Sequence, residues 1–326
     1  MSSSFYGPLE DVQGDAGYAQ DHPPRKGFFT DTSVCIGCKA CEVACKEWNA
    51  IPEDGLSLSG MSYDNTQALG ASSWRHVAFI EKTSPAPAEP APSAEPLGSA
   101  ASTPPASPAA PPRATTALGM PGVGPPSASG AVSTSQQAQV TWLMSSDVCK
   151  HCTHAACLDV CPTGSLFRTE FGTVVVQPDI CNGCGYCVPA CPYGVIDLRK
   201  EDGRAFKCTL CYDRLKDDQT PACAKACPTE SIQFGDLDEL RVRAQGRVEA
   251  LHERGVTQAR LYGHDPSDGV GGDGAFFLLL DEPEVYGLPP DPVVTTRDIR
   301  SIWSSVGMAA GALVGLGVAA FAGARR

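Results

Sequence analysis

The run Cys181-Asn182-Gly183-Cys184-Gly185-Tyr186-Cys187-Val188-Pro189-Ala190-Cys191-Pro192 decides how this chain is read. It is C-x2-C-x2-C-x3-C followed by proline, the spacing of a cubane iron–sulfur site. Three thiolates two residues apart wrap one cube only if the backbone loops tightly around it. Gly183 and Gly185 let amides approach the cluster sulfurs. Cys35, Cys38, Cys41 and Cys45 repeat the spacing, with Gly37 in the same role. Two looser groups follow the same plan: Cys149, Cys152, Cys157 and Cys161, then Cys208, Cys211, Cys223 and Cys227. The wider gaps lengthen a loop between ligands without removing a ligand. All 16 cysteines fall into these four groups. A second repeat trails three of them: Cys161-Pro162-Thr163-Gly164-Ser165-Leu166, Cys191-Pro192-Tyr193-Gly194-Val195-Ile196 and Cys227-Pro228-Thr229-Glu230-Ser231-Ile232.

Structural zinc is the rival chemistry. It uses paired C-x2-C knuckles, and C-x2-C-x2-C-x3-C puts too many thiolates together for one tetrahedral ion. A zinc-binding scaffold is therefore the weaker reading. Covalent haem is excluded, because no C-x-x-C precedes a histidine. His151 and His154 beside the second group read as hydrogen-bonding residues, since four cysteines per group leave no ligand position open. Lys39, Lys46, Lys150, Lys207 and Lys225 adjoin ligands. Each either raises a cluster potential or is an ordinary solvated lysine.

In two-cluster ferredoxins the fourth cysteine of each motif ligates the other cluster, so the groups must be paired. Groups two and three have 19 residues between Cys161 and Cys181, with a strand expected over Thr173–Val176. Pairing them forces groups one and four to pair around them, a nested arrangement. Groups three and four are only 16 residues apart, so spacing alone leaves another pairing open. Nesting assigns every ligand. One cluster takes Cys35, Cys38, Cys41 and Cys227, and its neighbour takes Cys45, Cys208, Cys211 and Cys223. A third takes Cys149, Cys152, Cys157 and Cys191, and the fourth takes Cys161, Cys181, Cys184 and Cys187. With no position replaced, all four are expected to be [4Fe–4S].

The rest of the chain bounds the answer. Its 25 Lys and Arg against 37 Asp and Glu leave a formal charge of −12, which argues against nucleic acid as a partner. No apolar signal-peptide core is found in residues 1–34. Residues 83–130 hold 13 of the 28 prolines amid Ala, Ser and Gly, and 83–137 reads as a disordered insertion. Trp74–Ile80 and Val140–Met144 flank it as strands of a hairpin. Asp236 and Glu239 suggest a capping box for a helix whose Leu237, Leu240, Ala244, Val248 and Leu251 share one face, with Gly255 at its end. The loop Gly269–Asp273 lacks the strand-and-helix setting of a phosphate site. Residues 302–324 carry no charge, and a bilayer span needs about 20 apolar residues. Within them Gly307, Gly311, Gly315, Ala319 and Gly323 form a small-residue stripe suited to packing on another helix in lipid.

The stretches Asp31-Thr32-Ser33-Val34-Cys35-Ile36-Gly37-Cys38-Lys39-Ala40-Cys41, Lys207-Cys208-Thr209-Leu210-Cys211 and Pro221-Ala222-Cys223 resemble the iron–sulfur (beta) subunit of membrane-bound formate dehydrogenase. So do Gly255-Val256 through Tyr262, Gly269-Val270-Gly271-Gly272, Tyr286-Gly287-Leu288-Pro289 and the single C-terminal helix. The likeness covers about residues 27–82 and 138–324. It departs in the insertion, in Glu230 where the other repeats have Gly164 and Gly194, and in a span poor in Leu and Ile.

The resemblance implies an α+β fold of two nested ferredoxin-like bis-[4Fe–4S] modules plus one C-terminal transmembrane helix. The expected divisions are 1–33, an N-terminal extension; 34–58 with 205–236, the first module; 59–82 with 138–145, a connecting hairpin; 83–137, the insertion; 146–204, the second module; 237–300, a helix and partner-contact segment; and 301–324, the transmembrane helix. It further implies a non-catalytic electron wire. The Cys35 cluster would face a catalytic (alpha) subunit bearing a Mo- or W-bis-pterin. The Cys161 cluster would face a cytochrome b or other quinone-reducing subunit. The chain would sit single-pass in the cytoplasmic membrane with its iron–sulfur part on the extracytoplasmic face. Another molybdopterin reductase, or a hydrogenase, could use the same wire.

Overall fold

Phe28 and Phe29 are adjacent and both fully buried, which a strand allows only when both of its faces are covered. In the computed structural model, which describes residues 23–53, 58–61, 63–84, 139–294 and 296–323, they lie in β1 (Lys26–Asp31). This strand sits inside a four-stranded sheet. It is antiparallel to β8 (Ile232–Asp236) and parallel to β10 (Ala275–Leu279), which pairs antiparallel with β9 (Arg260–Tyr262). Residues 26–31, inside the stretch expected to be an extension, are thus an inner strand.

The sheet is a partition. On one face Phe29, Phe276 and Leu278 pack against α6 (Leu237–Glu253), whose buried residues are Leu237, Leu240, Ala244, Val248 and Leu251. The helical spacing read from the sequence is the face that is buried. Each of its larger side chains contributes roughly 1.5–3 kcal/mol. On the other face Phe28 and Ala275 pack with Cys41, Cys208 and Cys223. The capping box does not form. Asp236 occupies the N-cap position, but its carboxylate accepts from Lys26 Nζ on β1 instead of from the helix amides. An ion pair to the neighbouring strand has replaced the local cap.

The cysteine side of the sheet carries short elements. Helix α1 (Ala40–Trp48) bears Cys41 and Cys45 and packs on α5 (Ala222–Lys225), which bears Cys223. In the same way α2 (Ala156–Asp159), with Cys157, packs on α3 (Cys187–Ala190), with Cys187. Two-residue strands β6 (Asp197–Leu198) and β7 (Ala205–Phe206) pair antiparallel, as do β4 (Leu166–Arg168) and β5 (Val174–Val176). The turn helix α4 (Tyr212–Lys216) follows Cys211. The glycine loop buttresses the second group: Thr153 N donates to Gly272 O at 3.0 Å and His154 N to Val270 O at 2.8 Å.

The expected hairpin is present as β2 (Arg75–Ser84) paired with β3 (Gln139–Val148). The chain divides into two units: residues 1–81 with 142–326, and residues 82–141. Of the insertion expected over 83–137, residues 85–137 lie outside the described residues. The C-terminal helix α7 (Ile299–Gly323) contains a 20-residue stretch, Ser301–Ala320, of mean hydropathy 1.6, none of it buried. Added side-chain carbon at Gly307, Gly311 or Gly315 would meet nothing within 4 Å.

Candidate iron–sulfur centres

The first C-x2-C segment of each group makes the same backbone turn. The residue before the second cysteine has positive φ in all four: Gly37 at 65°, His151 at 47°, Gly183 at 70° and Leu210 at 56°. The two glycines are required sterically as well. A Cβ on Gly37 would lie 2.7 Å from the Phe79 ring, and one on Gly183 would lie 2.5 Å from Gly203 O. His151 and Leu210 hold the left-handed conformation at about 1–2 kcal/mol each. The three Cys-Pro repeats share a second such turn. Gly164 and Gly194 have φ of 68° and 63°, and Glu230 adopts 52° in the same place. The glutamate does not alter the turn; it is strained into it.

The tertiary structure brings cysteines from different groups together. One cavity is lined by Cys35, Cys38, Cys41 and Cys227 with Ser146 and Ser231. A second is lined by Cys149, Cys152, Cys157 and Cys191 with Lys207 and apolar residues including Ala155, Val174 and Ile196. Cys45 has Cys208, Cys223 and Cys211 as charge neighbours, and Asn49 Nδ2 reaches both Cys45 Sγ at 3.7 Å and Cys211 Sγ at 4.0 Å. Cys187 has Cys161, Cys181 and Cys184 as its charge neighbours. Among the described residues no three Cys, His, Asp or Glu are grouped to hold one metal ion. Four sulfurs facing a shared cavity instead fit a larger inorganic core, and the donor set is all thiolate.

These sulfurs sit in poor solvent for a bare anion. Burial pushes the Cys41, Cys187 and Cys211 thiols up to about 11 and Cys157 up to about 12. Cys45 and Cys208 are driven higher still, by burial first and then by the charge of neighbouring thiolates. Metal coordination deprotonates such thiols. Cys161 runs the other way: burial raises it, but the amides of Leu166, Thr163 and Ser165 and the Thr163 hydroxyl bring it below the ordinary thiol value. Cys38 and Cys184 are the two exposed cysteines, one in group one and one in group three.

The lysines beside ligands separate cleanly. Lys150 and Lys207 are each 1% exposed, Lys39 and Lys46 are half-buried, and Lys225 is exposed. Lys207 Nζ donates to Val174 O and to Cys208 O, and Cys149, Cys157 and Cys208 hold it protonated although burial opposes charge. Lys150 Nζ pairs with Asp147 and lies 5.0 Å from the Phe277 ring. His151 is neutral, its pKa pushed well down by burial, and its Nδ1 accepts from Val174 N at 3.0 Å. Sequence reasoning passed over Asn49, Ser146 and Arg75. For Arg75 strand alternation gives no signal, because His76 and Val77 beside it are buried as well.

A protein with these thiolate sets beneath such a sheet is an iron–sulfur protein of the ferredoxin dicluster class. Residues 34–165 and 140–237 each match the 4Fe–4S dicluster domain family. The formate dehydrogenase iron–sulfur subunit of Haemophilus influenzae is 34% identical over 92% of this chain and 80% of its own length. The nitrate-inducible formate dehydrogenase iron–sulfur subunit of Escherichia coli is 35% identical over 93% and 82%. The B subunit of anaerobic dimethyl sulfoxide reductase from E. coli is 28% identical over 66% and 75%. The protein belongs to the formate dehydrogenase iron–sulfur subunit family.

Proposed function

We propose that this protein is the non-catalytic electron-transfer subunit of a membrane-bound formate dehydrogenase and that it holds four [4Fe–4S] clusters. The ligand sets are Cys35, Cys38, Cys41 and Cys227; Cys45, Cys208, Cys211 and Cys223; Cys149, Cys152, Cys157 and Cys191; and Cys161, Cys181, Cys184 and Cys187. The observation that carries this reading is helix pairing: α1 on α5 and α2 on α3 draw group one to group four and group two to group three. The modules are then nested, 146–204 within 34–58 and 205–236.

When bound, a [4Fe–4S] cluster supplies reversible one-electron storage. The protein's own residues do the rest. Cysteine thiolates anchor, the positive-φ turns aim amides inward, and Ala155, Val174 and Ile196 keep water from the third set. Lys207 sets a buried cation between the second and third sets. Cys38 marks the end that meets the catalytic subunit with its Mo- or W-bis-pterin, and Cys184 the end that meets a cytochrome b or other quinone-reducing subunit. The α7 helix is a single pass through the cytoplasmic membrane, with the iron–sulfur part on the extracytoplasmic face. The formate dehydrogenase relatives match over 92–93% of the chain, the dimethyl sulfoxide reductase relative over 66%, which favours formate over another reductase. Iron and acid-labile sulfide on anaerobically purified protein test the reading. About 16 irons per chain are expected. About eight, or zinc in the sites, would overturn it.

A further inference from the structure

Arg75 is a full charge placed where no iron–sulfur spacing requires one. It opens β2 and is 2% exposed. Its Nη2 donates to Cys223 Sγ at 3.2 Å. Its Nη1 donates to Ser146 O at 3.1 Å and to Ser146 Oγ at 3.3 Å. Ser146 Oγ lies 3.2 Å from Cys41 Sγ. Having accepted from the guanidinium, that hydroxyl has its proton free for the Cys41 sulfur. The Phe28 ring lies 5.0 Å beneath the guanidinium carbon. Among the described residues no carboxylate pairs with Arg75, and Nε has no acceptor.

A buried guanidinium without a counter-ion is strongly unfavourable, so an anion must answer it. The anions in reach are sulfurs: Cys223, Cys41 and Cys208 are its charge neighbours. Cys41 belongs to the first ligand set, and Cys208 and Cys223 to the second. Arg75 therefore touches one set directly and the other through Ser146.

Building on those ligand sets, we propose that Arg75 is a positioning residue, a fixed cation shared by the two clusters of groups one and four. Reduction adds one negative charge to a cluster, and a cation on its ligands stabilises the reduced state more than the oxidised one. Both midpoint potentials are raised together. Arginine suits the task better than lysine because its planar fork serves Cys223 and Ser146 at once and never deprotonates.

The test is an EPR-monitored redox titration of the full chain in its complex, with iron counted on each sample. In Arg75→Met two of the four midpoints move to more negative potential and two stay. Arg75→Lys moves the same two by less. Ser146→Ala, which removes only the bridge to Cys41, lowers one. Full iron with no midpoint moved, or all four moved equally, overturns the proposal. If Arg75→Met loses iron, Ser146→Ala decides alone: an unmoved set of midpoints at full iron overturns it. A wild-type protein with about eight irons would sink the ligand sets and this proposal with them, whereas full iron and fixed midpoints sink this proposal only.

Discussion

The proposed half of groups one and four and the proposed half of groups two and three use one device at two ranges. In both, a short cysteine-bearing helix packs on another, α1 on α5 and α2 on α3. Groups two and three are close neighbours in sequence, so their pairing closes a short loop. Groups one and four lie at opposite ends of the cysteine region, and β1 against β8 is what holds their ends together. The buried cations differ accordingly. Lys207 is the sequence neighbour of a ligand, whereas Arg75 arrives from a strand far from any cysteine. The remote half depends on the sheet for its geometry; the local half depends mainly on its own loop.

The largest effect expected from breaking this comparison is on ligands of unlike exposure. Cys45 is buried, so under the proposed ligand sets Cys45→Ala should cost a whole cluster, about four irons per chain. Cys184 is exposed in the local half, and an external thiol or water can reach the vacated position. Cys184→Ala should retain more iron, measured under the same anaerobic conditions. Equal losses would mean that a ligand's exposure does not decide how much iron its removal costs.

Removing a buried cation comes next. Lys207→Met leaves Val174 O and Cys208 O without their donor and should cost about 2–3 kcal/mol, read as a lower thermal midpoint at unchanged pH. Lys225→Met, on an exposed lysine, should stay within about 0.5 kcal/mol. The repeated turns offer a smaller and opposite effect. Glu230 holds a positive φ that Gly164 and Gly194 hold without strain. Glu230→Gly should stabilise the remote half by about 0.5–1 kcal/mol, and Gly164→Ala should destabilise the local half by about 1 kcal/mol. A glutamate that proves better than glycine would reveal a contact that outweighs the strain.

The smallest effect expected on either half is from α7. Ending the chain before Ser301 should leave iron content unchanged, because the span is unburied and packs on neither half. Electron delivery to quinone should fall while dye-coupled formate oxidation by the complex persists. Unimpaired quinone reduction would show that the helix does not couple the protein to its membrane partner.

The four cysteine groups, the glycines at Gly37 and Gly183, the buried face of α6 and the apolar span were all legible in the amino-acid order. Each is a property of residues a few positions apart, where covalent spacing and a 3.6-residue period leave little freedom. Which groups meet was not legible, because gaps of 19 and 16 residues close at nearly equal entropic cost. Nor was β1 visible as an inner strand, Asp236 as turned to Lys26, or Arg75 as turned to the sulfurs. Those outcomes came from the packed fold. A buried charge or polar group takes whichever partner the sheet brings within about 3 Å, and position along the chain says nothing about that distance.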